Sequence, residues 1–297
     1  MPRERFAPAK VNLFLHVASL GADGYHPLSS LMVFADVGDT IRLEPAAGPA
    51  FVLEGPFAET LGQDDDNLVV RARDLMLHGG ATPDPPFRLT LIKRLPIAAG
   101  LGGGSADAAA TLALIAAHLG PEHPAAGPRA LGVLARSLGA DVAACLESVP
   151  VIATGRGDVL EPAPPMPPLD AVLVNPRAPS PTGQVYRAYD ESGAPGGADN
   201  PSLPGRFEDA GQLIDFLDGT RNDLQAPACA LRPEIAEALG LLAAAPGARL
   251  ARMSGSGATC FALCANRDDA QRVAACLAGA RPHWWTVVCR LGAGEPG

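Results

Sequence analysis

Lysine is nearly missing from this 297-residue chain: Lys10 and Lys93 stand alone against 21 arginines. In a chain that uses arginine wherever a plain positive charge will serve, a retained lysine is a candidate for work that needs a compact ammonium. Positive charge is scarce as a whole. Lys and Arg total 23 against 32 Asp and Glu, the formal net charge is −9, and no basic run exceeds two residues. Phosphate contacts dominate nucleic-acid affinity and leave a basic patch in the sequence, so a nucleic-acid partner is not expected. Long apolar runs are missing too. Val11–Leu20 is broken by Asn12 and His16 and has no small-residue cleavage site after it, and nothing approaches the 18 apolar residues of a membrane span. The expectation is a cytoplasmic protein with no membrane partner. The six cysteines form no CxxC pair and the six histidines no ligand cluster, so no metal cage is expected, and a chain this long and apolar needs no disulfide framework. Buried, reduced thiols are expected instead, with Cys260 and Cys264 on one face of a strand.

What is present is apolar residue, at 47%, with only 19% charged, the balance of a globular chain rather than a disordered one. Val11, Leu13, Leu15 and Val17 alternate with Lys10, Asn12, Phe14 and His16, the period of a half-buried strand. Leu28–Phe34 and Thr40–Leu43 read as two further strands. Asp64-Asp65-Asp66-Asn67 reads as a helix start, with the helix running from Leu68 to His78 and stopped by Gly79-Gly80. Phe87–Lys93 is a strand, Ala106–Leu119 a helix apolar on all sides and therefore buried, and Arg129–Leu138 a short helix. Strands at Val149–Thr154, Leu169–Asn175, Thr259–Cys264 and Trp285–Arg290, with helices at Ile235–Ala245 and Asp268–Leu277, complete an α+β pattern. Five prolines in Pro162–Pro168 mark a connector, dividing the chain into residues 1–160 and 161–297. Glu191–Gly205, rich in Gly, Pro and Ser, reads as a mobile surface loop.

The segment richest in chemistry is Pro96-Ile97-Ala98-Ala99-Gly100-Leu101-Gly102-Gly103-Gly104-Ser105-Ala106, entered by a strand and left by a helix. Its clustered glycines allow positive φ and remove every Cβ from a ligand's approach. Backbone N–H groups then converge on a helix N-terminus, where the dipole also favours an anion, and polyphosphate is the natural ligand. A P-loop is excluded because no lysine follows the glycines, and the dinucleotide fingerprint fails where Ser105 replaces its third glycine. A tight turn with no ligand is the plainer alternative. Asp141, after a Gly-Ala turn and among apolar neighbours, is a candidate proton acceptor, with a helix cap as its bland reading. Lys10, on the polar face of the first strand, is a candidate partner or simply an ion-paired surface lysine.

Three segments together resemble the GHMP kinase superfamily: Ala7-Pro8-Ala9-Lys10-Val11-Asn12-Leu13, the loop from Pro96 to Ala106, and Met253-Ser254-Gly255-Ser256-Gly257-Ala258-Thr259. They span most of the chain in the family's order. The resemblance implies a two-domain α+β fold, ribosomal-S5-like in the N-terminal half and ferredoxin-like in the C-terminal half, with ATP and Mg²⁺ as cofactors. Gly24-Tyr25-His26 and Gly139-Ala140-Asp141-Val142 narrow it to a branch whose substrate is a cytidine diphospho-sugar alcohol, phosphorylated on its 2-hydroxyl in the non-mevalonate isoprenoid pathway. It implies Lys10 and Asp141 as the catalytic pair and Pro96–Ala106 as the ATP loop. Ser105 and Asp107 fall where Mg²⁺-bridged phosphates would come. Asn12, Tyr25 and His26 match contacts on the cytidine side, and Thr182 and Tyr186, in Ser180–Tyr186, match the segment that closes over the base. A cytosine needs an aromatic face and an edge partner, and Tyr25 with His26 supplies both types. Arg221-Asn222-Asp223-Leu224 resembles a supporting segment.

Overall fold

Strand β1 (Arg3–Val17) begins well before the alternation at Lys10 and is followed by β2 (Leu28–Pro45), β3 (Ala50–Glu54), α1 (Ala58–Leu61), α2 (Leu68–Leu77) and β4 (Phe87–Ile92). Next come α3 (Gly103–Leu119), α4 (Pro128–Leu138), α5 (Ala140–Glu147), β5 (Val151–Gly155), β6 (Val159–Pro162) and β7 (Leu169–Asn175). The chain continues through α6 (Thr182–Glu191), α7 (Ala210–Asp218), α8 (Gln225–Leu231), α9 (Pro233–Ala244), β8 (Ala248–Met253), β9 (Cys260–Cys264), α10 (Arg267–Ala280) and β10 (Trp285–Leu291). The structure is a computed structural model that describes residues 3–48, 50–61, 67–77, 87–193 and 196–292. It comprises two units. The first is Met1–Ala9, Gly38–Ile97 and Gly102–Ser148, and the second is Lys10–Val37, Ala98–Leu101 and Val149–Gly297.

Within the first unit, β4 lies between the end of β2, antiparallel from Thr40↔Ile92 to Pro45↔Phe87, and β3, parallel from Ala50↔Arg88 to Glu54↔Ile92. Phe87, Leu89 and Leu91 are buried, as their alternation predicts. Helix α3 packs against α2, α4 and α5, and ten of its residues are buried, in keeping with a helix that has no polar face. Helix α2 starts where Asn67 caps it, its Oδ1 accepting the Val69 N–H at 2.9 Å. The expected acidic start at Asp64–Asp66 and the stop at His78, Gly79 and Gly80 lie outside the described residues.

The two strands expected between Leu28 and Leu43 are one, the 18-residue β2. Its Gly38 allows this: a Cβ there would sit 2.1 Å from the Ala7 carbonyl oxygen, so only glycine lets the two backbones pass. A glycine that reads as a break in composition serves here as a crossing point within a strand.

In the second unit β7 is paired on both sides, with β10 antiparallel from Trp285↔Asn175 to Leu291↔Leu169 and with β9 antiparallel from Asp170↔Cys264 to Val174↔Cys260. Strand β8 adds to β9, and Leu291 of β10 reaches Ala35 of β2. The first residues of β2 pair with β5, which turns through Gly155-Arg156-Gly157 into β6. Val172, Val174, Ile235, Leu242, Cys260, Ala262, Cys264, Val273 and Leu277 share one core. Cys260 and Cys264 therefore do face the same side. All six cysteines are free thiols, but Cys276 is exposed and Cys229 half-buried, against the expectation that all would be buried. Both lie on helices, whose outer faces composition alone does not identify.

The described part of Glu191–Gly205 is tethered rather than loose. Gly196 N–H donates to the Tyr189 hydroxyl, Arg221 to the Gly197 carbonyl and Ser29 to the Asn200 side chain, and His16 Nδ1 lies 2.8 Å from the Asp199 carbonyl oxygen. Partners distant in sequence supply all of these bonds except that from Tyr189, which is why Gly and Pro content alone suggested mobility.

Candidate active site

The glycine-rich loop is built on positive φ. Gly100 has φ 72° and Gly102 φ 60°, and Ala98 takes φ 49° without being glycine. A Cβ on Gly100 would lie 2.3 Å from the Ser254 carbonyl oxygen, and one on Gly103 would lie 3.1 Å from Lys93 Nζ. Gly104 differs. It is exposed, and its Cβ would meet only Leu68 Cδ1 at an ordinary 3.5 Å. Packing within the protein does not require glycine there, and the exposed backbone is open to approach. Gly102 caps α3 in the left-handed conformation with no side-chain cap bond, so the first amides of the helix have no acceptor within it. That is the arrangement that receives an anion.

Within the second unit, residues from all three motif segments are hydrogen-bonded together. The backbone N–H of Lys10 donates to the Leu101 carbonyl at 2.8 Å, and the Thr259 N–H donates to the Ala99 carbonyl at 3.0 Å. Ser254 Oγ donates to the Gly100 carbonyl at 2.8 Å and accepts the Asn12 N–H at 3.1 Å. Lys10 Nζ donates to Asn12 Oδ1 at 2.7 Å, and Asn12 Nδ2 donates to Ser30 Oγ at 2.7 Å, which in turn donates to the Phe14 carbonyl. Lys10 and Asn12 are buried, and two residues apart on β1 they share a face. The Asn12 amide is thus engaged in orienting the Lys10 ammonium. Asn222 supports the third segment, its Nδ2 donating to the Met253 and Gly255 carbonyls, each at 2.8 Å. Ser30 carried no signal in the sequence, because a serine in a strand reads only as a polar position.

In the first unit, Asp141 lies half-buried in the first turn of α5, directly after Gly139. Asp107 is turned inward. Its Oδ2 accepts from Lys93 Nζ at 2.6 Å, beside Asp39 Oδ2 at 2.6 Å. Burial pushes the Asp107 carboxyl up to about 7, with Lys93 opposing and the neighbouring Asp39 adding to the rise. For Lys93, burial acts downward, but the two carboxylates outweigh it and hold the ammonium above its ordinary value. Among the described residues no group of three or more His, Cys, Asp or Glu forms a metal site. The residues fit Mg²⁺ carried on phosphates, which asks for only one or two protein oxygens, and the part-exposed Ser105 at the start of α3 offers one.

On the substrate side, Tyr25 is 52% exposed, with the Arg156 guanidinium 3.8 Å from its ring centroid. His26 Nε2 lies 2.7 Å from Asp190 Oδ1, and its ring packs 4.9 Å from that of Tyr186. Thr182 Oγ1 lies 2.9 Å from Ser256 Oγ, joining α6 to the third motif segment. Asp190 was not singled out from sequence, since a carboxylate 164 residues from His26 carries no local mark.

Comparison with known proteins identifies the family. The model of the GHMP kinases N terminal domain matches residues 67–148, and that of the GHMP kinases C terminal region matches 202–282. The chain is 55% identical to the 4-diphosphocytidyl-2-C-methyl-D-erythritol kinase of Caulobacter vibrioides over 287 residues, covering 96% of this chain and 98% of that one. It is 49% identical to the enzyme of the same name from Cereibacter sphaeroides, covering 97% and 99%. A crystal structure of 4-(cytidine 5'-diphospho)-2C-methyl-D-erythritol kinase superposes with a TM-score of 0.78 at 36% identity, covering 98% of this chain and 100% of that one. Homoserine kinase from Cytophaga hutchinsonii, at 19% identity, TM-score 0.67 and coverage of 100% and 96%, shares the fold. The chain therefore belongs to the GHMP kinase superfamily, with its α+β fold, and within it to the 4-diphosphocytidyl-2-C-methyl-D-erythritol kinase family of ATP-dependent enzymes.

Proposed function

We propose that this chain transfers the γ-phosphoryl group of ATP to the 2-hydroxyl of 4-diphosphocytidyl-2-C-methyl-D-erythritol, giving the 2-phosphate and ADP, in the non-mevalonate supply of isoprenoid precursors. The observation that carries the reading is the hydrogen bonding of Lys10 and Ser254 to the carbonyls of Leu101 and Gly100, which ties the other two motif segments to the loop.

In this reading the amides of Gly102–Ser105, ahead of the Ala106 N–H that donates to the Gly102 carbonyl, hold the β- and γ-phosphates. Ser105 would hold Mg²⁺ together with the phosphates, and the ion would supply positive charge to offset that of the transferring group. Asp141 accepts the proton of the attacking hydroxyl, and the Lys10 ammonium, aimed by Asn12, polarises that hydroxyl. Phosphoryl transfer asks little covalent chemistry of the protein, so positioning and charge account for most of the rate. Residues 1–160 supply these groups, while 161–297 supply the substrate side through Thr182 and Tyr186. Tyr25 and Tyr186 offer flat faces to the cytosine, and His26 offers an edge partner whose orientation Asp190 fixes. The protein works in the cytoplasm without a nucleic-acid partner, in keeping with its net charge of −9.

A substrate panel tests the proposal. With ATP and Mg²⁺ the purified protein is expected to phosphorylate the cytidine substrate and to leave mevalonate, homoserine and galactose untouched, and chelation of Mg²⁺ should abolish turnover. Turnover of mevalonate or homoserine with none of the cytidine substrate would overturn the assignment.

A further inference from the structure

Lys93, the second of the two lysines, takes no part in the chemistry above, yet it is the more deeply enclosed. Its ammonium lies at the end of β4, 2.6 Å from Asp39 Oδ2 on β2 and 2.6 Å from Asp107 Oδ2 on α3. The three side chains are 3%, 0% and 2% exposed. The second oxygen of Asp39 accepts the backbone N–H of Arg94 at 2.5 Å and of Leu95 at 2.8 Å, the two residues that lead into the loop at Pro96. Asp107 belongs to the opening turns of α3, by which the loop ends. Between these attachments lies Gly103, whose missing Cβ leaves room for the ammonium.

The cluster thus grips the backbone on both sides of the loop, and it does so within one unit. Residues 94–97 and 102–107 both belong to the first unit, whereas Ala98–Leu101 belongs to the second. A buried ion cluster is a poor device for stability alone, because apolar residues of equal volume often serve as well or better. What it adds is directional: a tetrahedral ammonium fixes two carboxylates at set angles, where an apolar contact would tolerate sliding.

We propose that Lys93, Asp39 and Asp107 are positioning residues for ATP, a clamp that sets the spacing between the two ends of the phosphate loop and so the aim of its amides. The proposal rests on the reading of that loop as the phosphate site.

The test separates aim from stability. Lys93→Met leaves two carboxylates facing each other and is expected to lower Tm and to raise the KM for ATP at least roughly tenfold. The double variant Lys93→Met with Asp107→Leu removes one charge of each sign and fills the space with apolar atoms. It is expected to recover Tm while KM for ATP stays raised by about the same factor and KM for the alcohol substrate stays within about twofold of wild type. Asp107→Asn, which keeps volume and an acceptor for Lys93, is the milder arm and should raise KM for ATP by roughly threefold or more. A folded double variant with wild-type KM for ATP, or a wild-type KM in Asp107→Asn if the double variant does not fold, would overturn the clamp. Failure of the wild-type protein to bind an ATP analogue would instead remove the phosphate-loop reading, and the clamp with it.

Discussion

Lys10 donates its backbone N–H to the carbonyl of Leu101 at 2.8 Å, so the strand that bears its ammonium is hydrogen-bonded to the loop proposed to hold the phosphates. Main-chain bonding thus sets where Lys10 leaves the strand relative to the loop, and Asn12 Oδ1, accepting from Nζ at 2.7 Å, aims the side chain from there.

The first prediction concerns the proposed catalytic pair. Asp141→Asn keeps the shape of the side chain and removes its capacity to take a proton, and should lower kcat by roughly 10²–10⁴ with KM for ATP little changed. Lys10→Arg should also be damaging, because Asn12 Oδ1 accepts from a compact ammonium at 2.7 Å in a buried position, and a planar fork does not reproduce that point charge. Steady-state kinetics on both variants decide the matter, and wild-type turnover in either would remove that residue from the mechanism.

Two glycine substitutions in the same loop should have opposite effects on stability. Gly100→Ala places a Cβ 2.3 Å from the Ser254 carbonyl oxygen at a φ of 72°, and should destabilise by at least about 1–2 kcal/mol, the ordinary left-handed cost, before the clash is counted. Gly104→Ala meets no obstacle within the protein and lies in the first turn of α3, where alanine is the better helix former. It should leave Tm unchanged or raise it by an amount corresponding to about 0.5–1 kcal/mol, while weakening ATP binding by crowding the approach to the amides. Thermal melts with ATP titrations check both. Unchanged ATP affinity in Gly104→Ala would favour a turn without a ligand.

His26 is oriented by Asp190 at 2.7 Å. Asp190→Ala leaves the ring free to turn, and should raise KM for the cytidine substrate several-fold, on the order of the 1–2 kcal/mol of a charge-assisted hydrogen bond, with KM for ATP unaffected. Equal changes in both KM values would point to a general loss of structure instead.

Stability should depend on pH through His16. A carbonyl can only accept, so His16 Nδ1 donates to Asp199, and its Nε2 accepts the Arg221 N–H at 3.3 Å, which together require the neutral ring. Burial, the main cause, lowers its pKa below the ordinary 6.5. Between the folded value and 6.5 the unfolded chain binds more protons, so stability rises with pH across that window. The contribution is complete above 6.5 and is lost as pH falls through the folded value. Denaturation midpoints should therefore decline below pH 6.5 in the wild type and decline less in His16→Gln. Identical slopes would show that His16 does not carry this part of the titration.

The sequence alone determined the type of most of the long elements and the identity of the loop, because both depend on local order. Alternation marks a strand such as β4, an all-apolar run marks the buried α3, and the run of glycines ahead of that helix marks a loop of bare backbone. The three motif segments sufficed to place the chain among the GHMP kinases for the same reason. The tertiary structure decided which polar groups act on which. It turned Asp107 inward onto Lys93, engaged the Asn12 amide with Lys10 and Ser30, tied the Gly- and Pro-rich segment after α6 to His16 and Arg221, and joined β2 through Gly38 into one strand. Each of these depends on a partner supplied from a different stretch of chain, and in a dry interior a polar group's role follows from the partner it finds rather than from its neighbours in sequence.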